Sequence, residues 1–167
     1  MNRVSGWSVN LGRRRCLIGA FAATACARSS PVFSGVESQL PTADSLPRAL
    51  VLALGSGQPL LVMVTLEGCP FCKVVRDSYL APMRREQGLP IVQIDMRSRQ
   101  MVQAFAGPEQ TQESLSRSWS IKVAPTVLFF GRGAREVAER LVGGYLPDFY
   151  GAYLDDRIRQ ARASLLQ

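Results

Sequence analysis

The sequence contains no histidine among its 167 residues. Mechanisms that need a histidine base are therefore excluded, and zinc and copper sites lose their commonest nitrogen ligand. Cysteine is scarce as well, with four in the chain: Cys16, Cys26, Cys69 and Cys72. A structural zinc site needs about four ligands. We therefore predict no metal.

Long apolar runs are also lacking. No run reaches the roughly 20 residues that a membrane-spanning helix needs. Hydrophobic residues make up 47% of the chain and charged residues 20%, which is the composition of a globular protein rather than a disordered one. The length predicts one main domain with a sizeable core.

Acidic residues are absent from residues 1–27, which hold four arginines. The net charge of +7 arises from 20 basic and 13 acidic residues, so residues 28–167 carry 16 basic against 13 acidic residues, or +3. In that part basic and acidic residues are interleaved, as in Arg76-Asp77. A basic patch for nucleic acid is not indicated, and we predict no nucleic-acid partner.

The first 27 residues have the layout of a bacterial signal peptide. Arg13 to Arg15 precede a short apolar stretch, and Ala25-Cys26-Ala27 fits the small-residue cleavage pattern. The arginines resemble a twin-arginine signal, with an ordinary Sec signal as the alternative. We therefore predict a periplasmic protein with a signal peptide over 1–27, a flexible tether over 28–41 and a folded domain over 42–167.

Cys26 allows a second interpretation of the same segment. Ala23-Thr24-Ala25-Cys26 looks like a degraded lipobox, and Cys26 would then be a lipid anchor. Cleavage after Ala27 would instead remove both Cys16 and Cys26. The exported chain would then keep Cys69 and Cys72, which close too small a loop to stabilise the fold through chain entropy. We therefore predict a chemical role for Cys69 and Cys72 rather than a structural one.

Hydrophobic patterning predicts a βαβ unit around these cysteines. A helix capped at Asp44-Ser45 precedes a buried strand over Leu60–Leu66. A helix from Cys69 to about Arg85 and a strand over Ile91–Asp95 follow. Cys69 thus falls where a strand ends and a helix begins.

The second half of the chain predicts two more strands and a final helix. A polar, partly helical segment runs from Met96 to Ser118, and Trp119 is assigned to the core. Strands over Val127–Phe130 and Arg135–Val142 are expected to be antiparallel. The last helix opens at Pro147. Its predicted buried face comprises Phe149, Tyr150, Tyr153, Leu154 and Ile158.

The position of Cys69 favours nucleophilic chemistry. Unpaired amides and the helix dipole at a helix start favour negative charge on sulfur, and the thiolate is the attacking species. Pro70 suits the first helical position. Cys72, one turn further on, can attack a mixed disulfide at Cys69 and release the partner. Lys73 and Arg76 add positive charge nearby.

Three landmarks together resemble thioredoxin-like proteins. They are Cys69-Pro70-Phe71-Cys72, the run from Trp119 through Ala124-Pro125 to Phe130, and Val142-Gly143-Gly144-Tyr145. The resemblance covers roughly Asp44 to Leu154. It implies an α/β thioredoxin fold, with a central mixed sheet of four to five strands flanked by helices and a helical insertion before the cis-proline strand.

The resemblance also implies roles for individual residues. Cys69 would be the catalytic nucleophile and Cys72 the resolving cysteine, with no cofactor beyond their redox-active disulfide. Pro125 would be a cis-proline facing the disulfide, and the Ala124 backbone would pair with an extended substrate strand. Phe71 is likewise predicted to contact the substrate.

The subgroup that the chain most resembles is the periplasmic SoxW-type thioredoxins. The insertion over Met96–Ser118 and the segment Gly144-Tyr145-Leu146-Pro147 carry that likeness. It implies a monomeric reductant of client proteins or small sulfur-carrier disulfides, fed by a membrane electron donor of the DsbD or CcdA type.

Two departures leave the direction of electron flow open. Gly68 stands where thioredoxin has Trp, and Met63 stands where thioredoxin has a buried Asp that helps deprotonate the second cysteine. Glu67 is a candidate substitute proton acceptor. A disulfide-donating, Dsb-like oxidase is the alternative within the same class. A redox-inactive binding or assembly module is the alternative outside it.

Overall fold

The computed structural model describes residues 39–144 and 147–167, without the side chains of Pro147 and Asp148. The predicted signal peptide over 1–27, the predicted tether up to residue 38, and Tyr145 and Leu146 of the resemblance motifs lie outside the described residues. The predictions made for those segments stay predictions.

A four-stranded mixed sheet forms the centre of the domain. The strands of the chain are β1 Leu60–Thr65, β2 Ile91–Asp95, β3 Met101–Val102, β4 Gln110–Thr111, β5 Thr126–Phe130 and β6 Glu136–Val142. The central sheet has the order β2-β1-β5-β6. β1 runs parallel to β2 and antiparallel to β5, and β5 is antiparallel to β6. The predicted mixed sheet is confirmed.

Five α-helices accompany the strands in the described residues: α1 Leu46–Gly55, α2 Pro70–Val75, α3 Ala81–Gln87, α4 Gln112–Ser118 and α5 Pro147–Leu165. A π-helical turn, Arg76–Leu80, joins α2 to α3, so the helix predicted from Cys69 continues to Gln87 with one irregular turn. α1 begins at its predicted cap, since the Ser45 hydroxyl accepts the Arg48 amide at 3.4 Å.

The sheet is covered on both faces by apolar side chains, which is why its inner strands read as continuous hydrophobic runs. Every residue of β1 and of β5 is buried. One core cluster joins Met63 and Phe129 with Cys72 and Leu154. The other joins Val62 and Leu128 with side chains of α1, α4 and the insertion. Trp119 packs against this second cluster, as predicted.

The insertion before β5 contains more than the predicted helix. β3 and β4 form an antiparallel pair, and α4 follows directly. The Thr111 hydroxyl caps α4 by accepting the Ser114 amide at 3.1 Å. Two-residue strands leave too little periodicity in the sequence to be recognised.

The prediction for the last helix was wrong at two positions. Tyr150, Leu154 and Ile158 are buried in the first core cluster, but Phe149 is 60% and Tyr153 49% exposed. Helical spacing spreads the five residues over about half of the helix circumference, and the domain covers only the side that carries Tyr150, Leu154 and Ile158. The two aromatic rings at the margin therefore remain in solvent.

Candidate active site

A tight turn carries the chain from β1 to Cys69. β1 ends at Thr65, and the Cys69 amide donates to the Leu66 carbonyl at 3.2 Å. Gly68 has a φ of 72°, a conformation that side chains disfavour. No atom of the described residues lies within 4 Å of the place where a Cβ on Gly68 would stand. The glycine found in place of thioredoxin's Trp therefore suits the turn and leaves space beside Cys69.

Cys69 is the N-cap of α2. Its sulfur accepts the Cys72 amide at 3.2 Å, so a backbone donor of the first helical turn points at the sulfur. Pro70 occupies the first helical position, where its missing amide costs nothing. Cys69 is half-buried, which leaves its sulfur within reach of another molecule.

Cys72 lies one turn further along and is fully buried. The pKa of its thiol is raised from 9.0 to about 11, mainly by burial and to a smaller extent by the hydrogen bond with Cys69. Hydrogen bonds from the Thr65 hydroxyl and the Leu66 amide oppose this by stabilising the thiolate. Both cysteines are free thiols. A half-buried thiol thus stands one turn from a buried thiol that holds its proton tightly.

The peptide bond between Ala124 and Pro125 is cis. The Ala124 carbonyl oxygen lies 3.9 Å from the Cys69 sulfur. The Pro125 carbonyl accepts the Gly143 amide at 2.7 Å, which ties this loop to the end of β6. A Cβ on Gly144 would stand 3.3 to 3.6 Å from Val75, Phe71 and Pro125. The three sequence landmarks therefore meet at one place.

The remaining predicted residues surround the two cysteines. Phe71 is 46% exposed and stands between them in the chain. Lys73 is exposed and pairs with Asp77 across one turn. Arg76 also contacts Asp77, at 3.4 Å. Glu67 is exposed, and the groups that shift the pKa of Cys72 do not include it.

Thr65 and Tyr150 contribute to the site and were not predicted to do so. Thr65 is 7% exposed and supplies the hydroxyl that meets Cys72. Met63 packs with Cys72 in one cluster, so the position that carries an Asp in thioredoxin carries a thioether here. The Tyr150 hydroxyl is buried without a hydrogen-bond partner among residues 39–144 and 147–167. Burial, with smaller effects of Tyr79 and Cys72, raises its pKa.

Within the described ranges, no three side chains of the metal-ligating types come together. In the same part of the chain, no helix combines the length and the apolar content that crossing a membrane requires.

Comparison with known protein families agrees with the thioredoxin-like resemblance of the sequence. A family model described as "Thioredoxin-like domain" matches residues 46–158, which include α1, the two cysteines, the cis peptide bond and most of α5. No curated protein sequence matches this chain.

Solved structures with a similar fold include several thioredoxins. Thioredoxin from Fasciola hepatica is 16% identical and has a TM-score of 0.51, covering 73% of this chain and 99% of its own. Mitochondrial thioredoxin 3 from Saccharomyces cerevisiae is 12% identical, with a TM-score of 0.49 over 72% and 93% of the two chains. Periplasmic thioredoxin SoxS from Paracoccus pantotrophus is 23% identical, with a TM-score of 0.42 over 62% and 99%. At 16% identity, the likeness to the Fasciola hepatica thioredoxin concerns the fold.

Proposed function

The chain belongs to the family of thioredoxin-like domains, and we propose that it is a thiol–disulfide oxidoreductase acting through Cys69 and Cys72. One observation carries the proposal. A half-buried cysteine at a helix start receives a backbone hydrogen bond and lies 3.9 Å from the carbonyl oxygen of the residue before a cis-proline, and a second, buried cysteine lies one turn away. Reactive cysteines need such a partly exposed position with nearby hydrogen-bond donors.

The two sulfurs act in sequence. The Cys69 thiolate attacks one sulfur of a client disulfide, and the other client sulfur leaves as a thiolate. Cys72 then loses its proton and attacks the Cys69 sulfur, which releases the second client thiol and closes the Cys69–Cys72 disulfide. Two electrons pass from the protein dithiol to the client. Burial keeps the resolving thiol protonated until this second step.

The surface around Cys69 supports binding of a client chain. Phe71 and Val123 are 46% and 37% exposed, and Val142, opposite Thr126 in the sheet, is 58% exposed. Exposed apolar side chains grouped in this way are typical of a recognition surface. In the proposal, the Ala124 backbone next to Pro125 pairs with an extended client segment.

We propose that the protein works as a reductant of protein or sulfur-carrier disulfides in the periplasm, as a monomer fed by a membrane electron donor. The Thr65 hydroxyl supports this direction, since it assists ionisation of Cys72 where Met63 offers no carboxylate. The disulfide-donating alternative keeps the same residues and reverses the flow. Equilibration with dithiothreitol or glutathione buffers gives the reduction potential. A value of about −270 mV supports the reductant, and one of about −120 mV supports the oxidase.

Substitution of each cysteine tests the proposed activity. In the full chain we expect Cys69→Ser to abolish reduction of insulin disulfides, and Cys72→Ser to accumulate a mixed disulfide at Cys69. The double variant Cys16→Ser/Cys26→Ser is the matched control and keeps the wild-type rate. Full activity of Cys69→Ser would overturn the proposal, whereas a wild-type pair that stays unreactive toward thiol reagents in the folded protein would favour the redox-inactive binding module. Mass spectrometry of the exported chain then tests cleavage after Ala27 against lipid on Cys26.

A further inference from the structure

A cavity of about 1060 Å³ opens beside Cys69, on the side where Gly68 leaves space. One wall comes from the start of α2, with Cys69, Lys73 and Arg76. The opposite wall comes from β2, the loop after it and α4, with Asp95, Arg97 and Gln112. The volume is that of a site for a small organic molecule.

Gln112 is the most distinctive residue of this cavity. It is 1% exposed, and its Oε1 accepts the Asp95 amide at 2.7 Å, which fixes the orientation of the side-chain amide. Its Nε2 has no hydrogen-bond partner anywhere in the described part of the chain. A buried donor without a partner costs about 1–3 kcal/mol. An acceptor oxygen on a ligand would remove that cost.

Cations outnumber carboxylates among the side chains that line the cavity. The lining holds three cations, Lys73, Arg76 and Arg97, against the carboxylates of Glu67 and Asp95. Lys73 and Arg76 share Asp77, and the Asp95 side chain accepts the Arg97 backbone amide at 2.8 Å. The exposed guanidinium of Arg97 forms no ion pair with any described residue. An anionic oxygen acceptor is the ligand group that Arg97 and Gln112 both suit.

We propose that this cavity binds the body of a small, carboxylate-bearing disulfide while one of its sulfurs reacts with Cys69. The inference rests on the proposed function and names a substrate class for it. A carboxylate or amide carbonyl of the substrate accepts from Gln112 Nε2, and a second carboxylate lies at Arg97. Oxidised glutathione, a peptide disulfide with several carboxylates, is the probe.

The reaction balances without another reagent. Cys69 attacks one glutathione sulfur, the glutathione S–S bond breaks, and one glutathione leaves and takes a proton. Cys72 then attacks Cys69 and releases the second glutathione. The protein dithiol is oxidised to a disulfide, the substrate is reduced to two thiols, and the two protons of the protein thiols end on the products.

The test measures single-turnover oxidation of the reduced full chain, in the Cys16→Ser/Cys26→Ser background. Rate constants are compared for oxidised glutathione and for bis(2-hydroxyethyl) disulfide, which has no carboxylate. We expect Gln112→Glu, which keeps the acceptor for Asp95 and replaces the donor, to lower the ratio of these rate constants about tenfold or more. Arg97→Gln should lower it about threefold.

Arg99 supplies a matched control, because it is exposed in the same loop and does not line the cavity. Arg99→Gln should keep the wild-type ratio. The cavity assignment is overturned if Arg97→Gln also keeps that ratio, or if Arg99→Gln lowers it equally. Because Arg97 is exposed, its variant tests the proposal even where Gln112→Glu fails to fold. A wild-type dithiol that reduces neither these disulfides nor insulin would instead overturn the proposed function.

Discussion

Cys72 and Cys69 are three residues apart, yet they occupy different environments. Cys72 is fully buried, and burial raises the pKa of its thiol to about 11, whereas Cys69 is half-buried with a backbone donor at its sulfur. The helical turn between them produces this difference, because it points one side chain toward the sheet and leaves the other at the helix end. The two sulfurs therefore suit different steps of disulfide exchange.

In the proposed mechanism, the Thr65 hydroxyl assists the second step by favouring ionisation of Cys72. This hydroxyl donates to Cys72 and lowers its pKa against the effect of burial, so Thr65→Val should raise the pKa further. With less thiolate at neutral pH, resolution of a mixed disulfide at Cys69 should slow about tenfold. Stopped-flow release of a chromophoric thiol measures that step. Thr65→Ser, which keeps the hydroxyl, should retain the wild-type rate, and an equal loss in both variants would contradict the assignment.

Titration of Cys72 should couple stability to alkaline pH. Its thiol binds the proton more tightly in the folded chain than in the unfolded one, since its pKa is raised from 9.0 to about 11. The stabilisation is thus complete below pH 9 and is lost as the pH rises toward 11, by at most about 3 kcal/mol. Urea unfolding of the reduced protein between pH 7 and 11 measures the loss. Cys72→Ala should lose clearly less, and parallel curves would refute the coupling.

At the scale of elements, α4 shows how the insertion serves the site. This short helix begins at Gln112. The backbone amide of Gln112 donates to the Gln100 carbonyl at 3.0 Å. The Gln112 side chain holds the Asp95 amide at the end of β2. The insertion is therefore tied to the sheet edge nearest Cys69, and it supplies one wall of the cavity.

The cap of α4 should matter for stability. Thr111→Ala removes the hydroxyl that accepts the Ser114 amide, and we expect a loss of about 1 kcal/mol, or roughly 3 °C in Tm. Thr111→Ser retains the acceptor and should stay within about 0.5 kcal/mol of wild type. Thermal and urea unfolding measure both variants. Equal stability of the two would show that the cap contributes little.

At the scale of the whole molecule, Gly131 lies where the sheet packs against the last helix. It follows β5, and a Cβ there would lie 2.6 Å from Val137 of β6 and 3.1 Å from Leu165 of α5. The close approach of three elements, and not an unusual backbone angle, requires the glycine. Interiors packed at this density tolerate added atoms poorly.

Gly131→Ala should therefore destabilise the domain by about 1–3 kcal/mol, measured by urea unfolding. Gly55→Ala is the matched control, since its backbone is helical and no atom in the described part of the chain lies within 4 Å of the added Cβ, and it should be neutral or slightly stabilising. In a Val137→Ala background the same Gly131→Ala change should cost less than half as much. An unchanged cost there would show that the crowding arises elsewhere.

The sequence by itself determined the order of the main elements and the place of the cysteines. The runs of β1 and β5 are continuously apolar because both faces of the sheet are covered, and Ser45 and Pro70 mark helix starts through local hydrogen-bond chemistry. The thioredoxin fold and the insertion with its helix followed from the resemblance of three motifs, and both are confirmed. Such signals are local in the chain.

Only the tertiary structure decided which side chains meet. The exposure of Phe149 and Tyr153, the contact of Thr65 with Cys72 and the cavity with the unpaired Gln112 Nε2 all depend on elements distant in sequence. Helical or strand periodicity states which residues share a face, but the width of the neighbouring surface determines how much of that face is covered. The physical reason is that burial and hydrogen-bond pairing are properties of packed surfaces, which a single element does not possess.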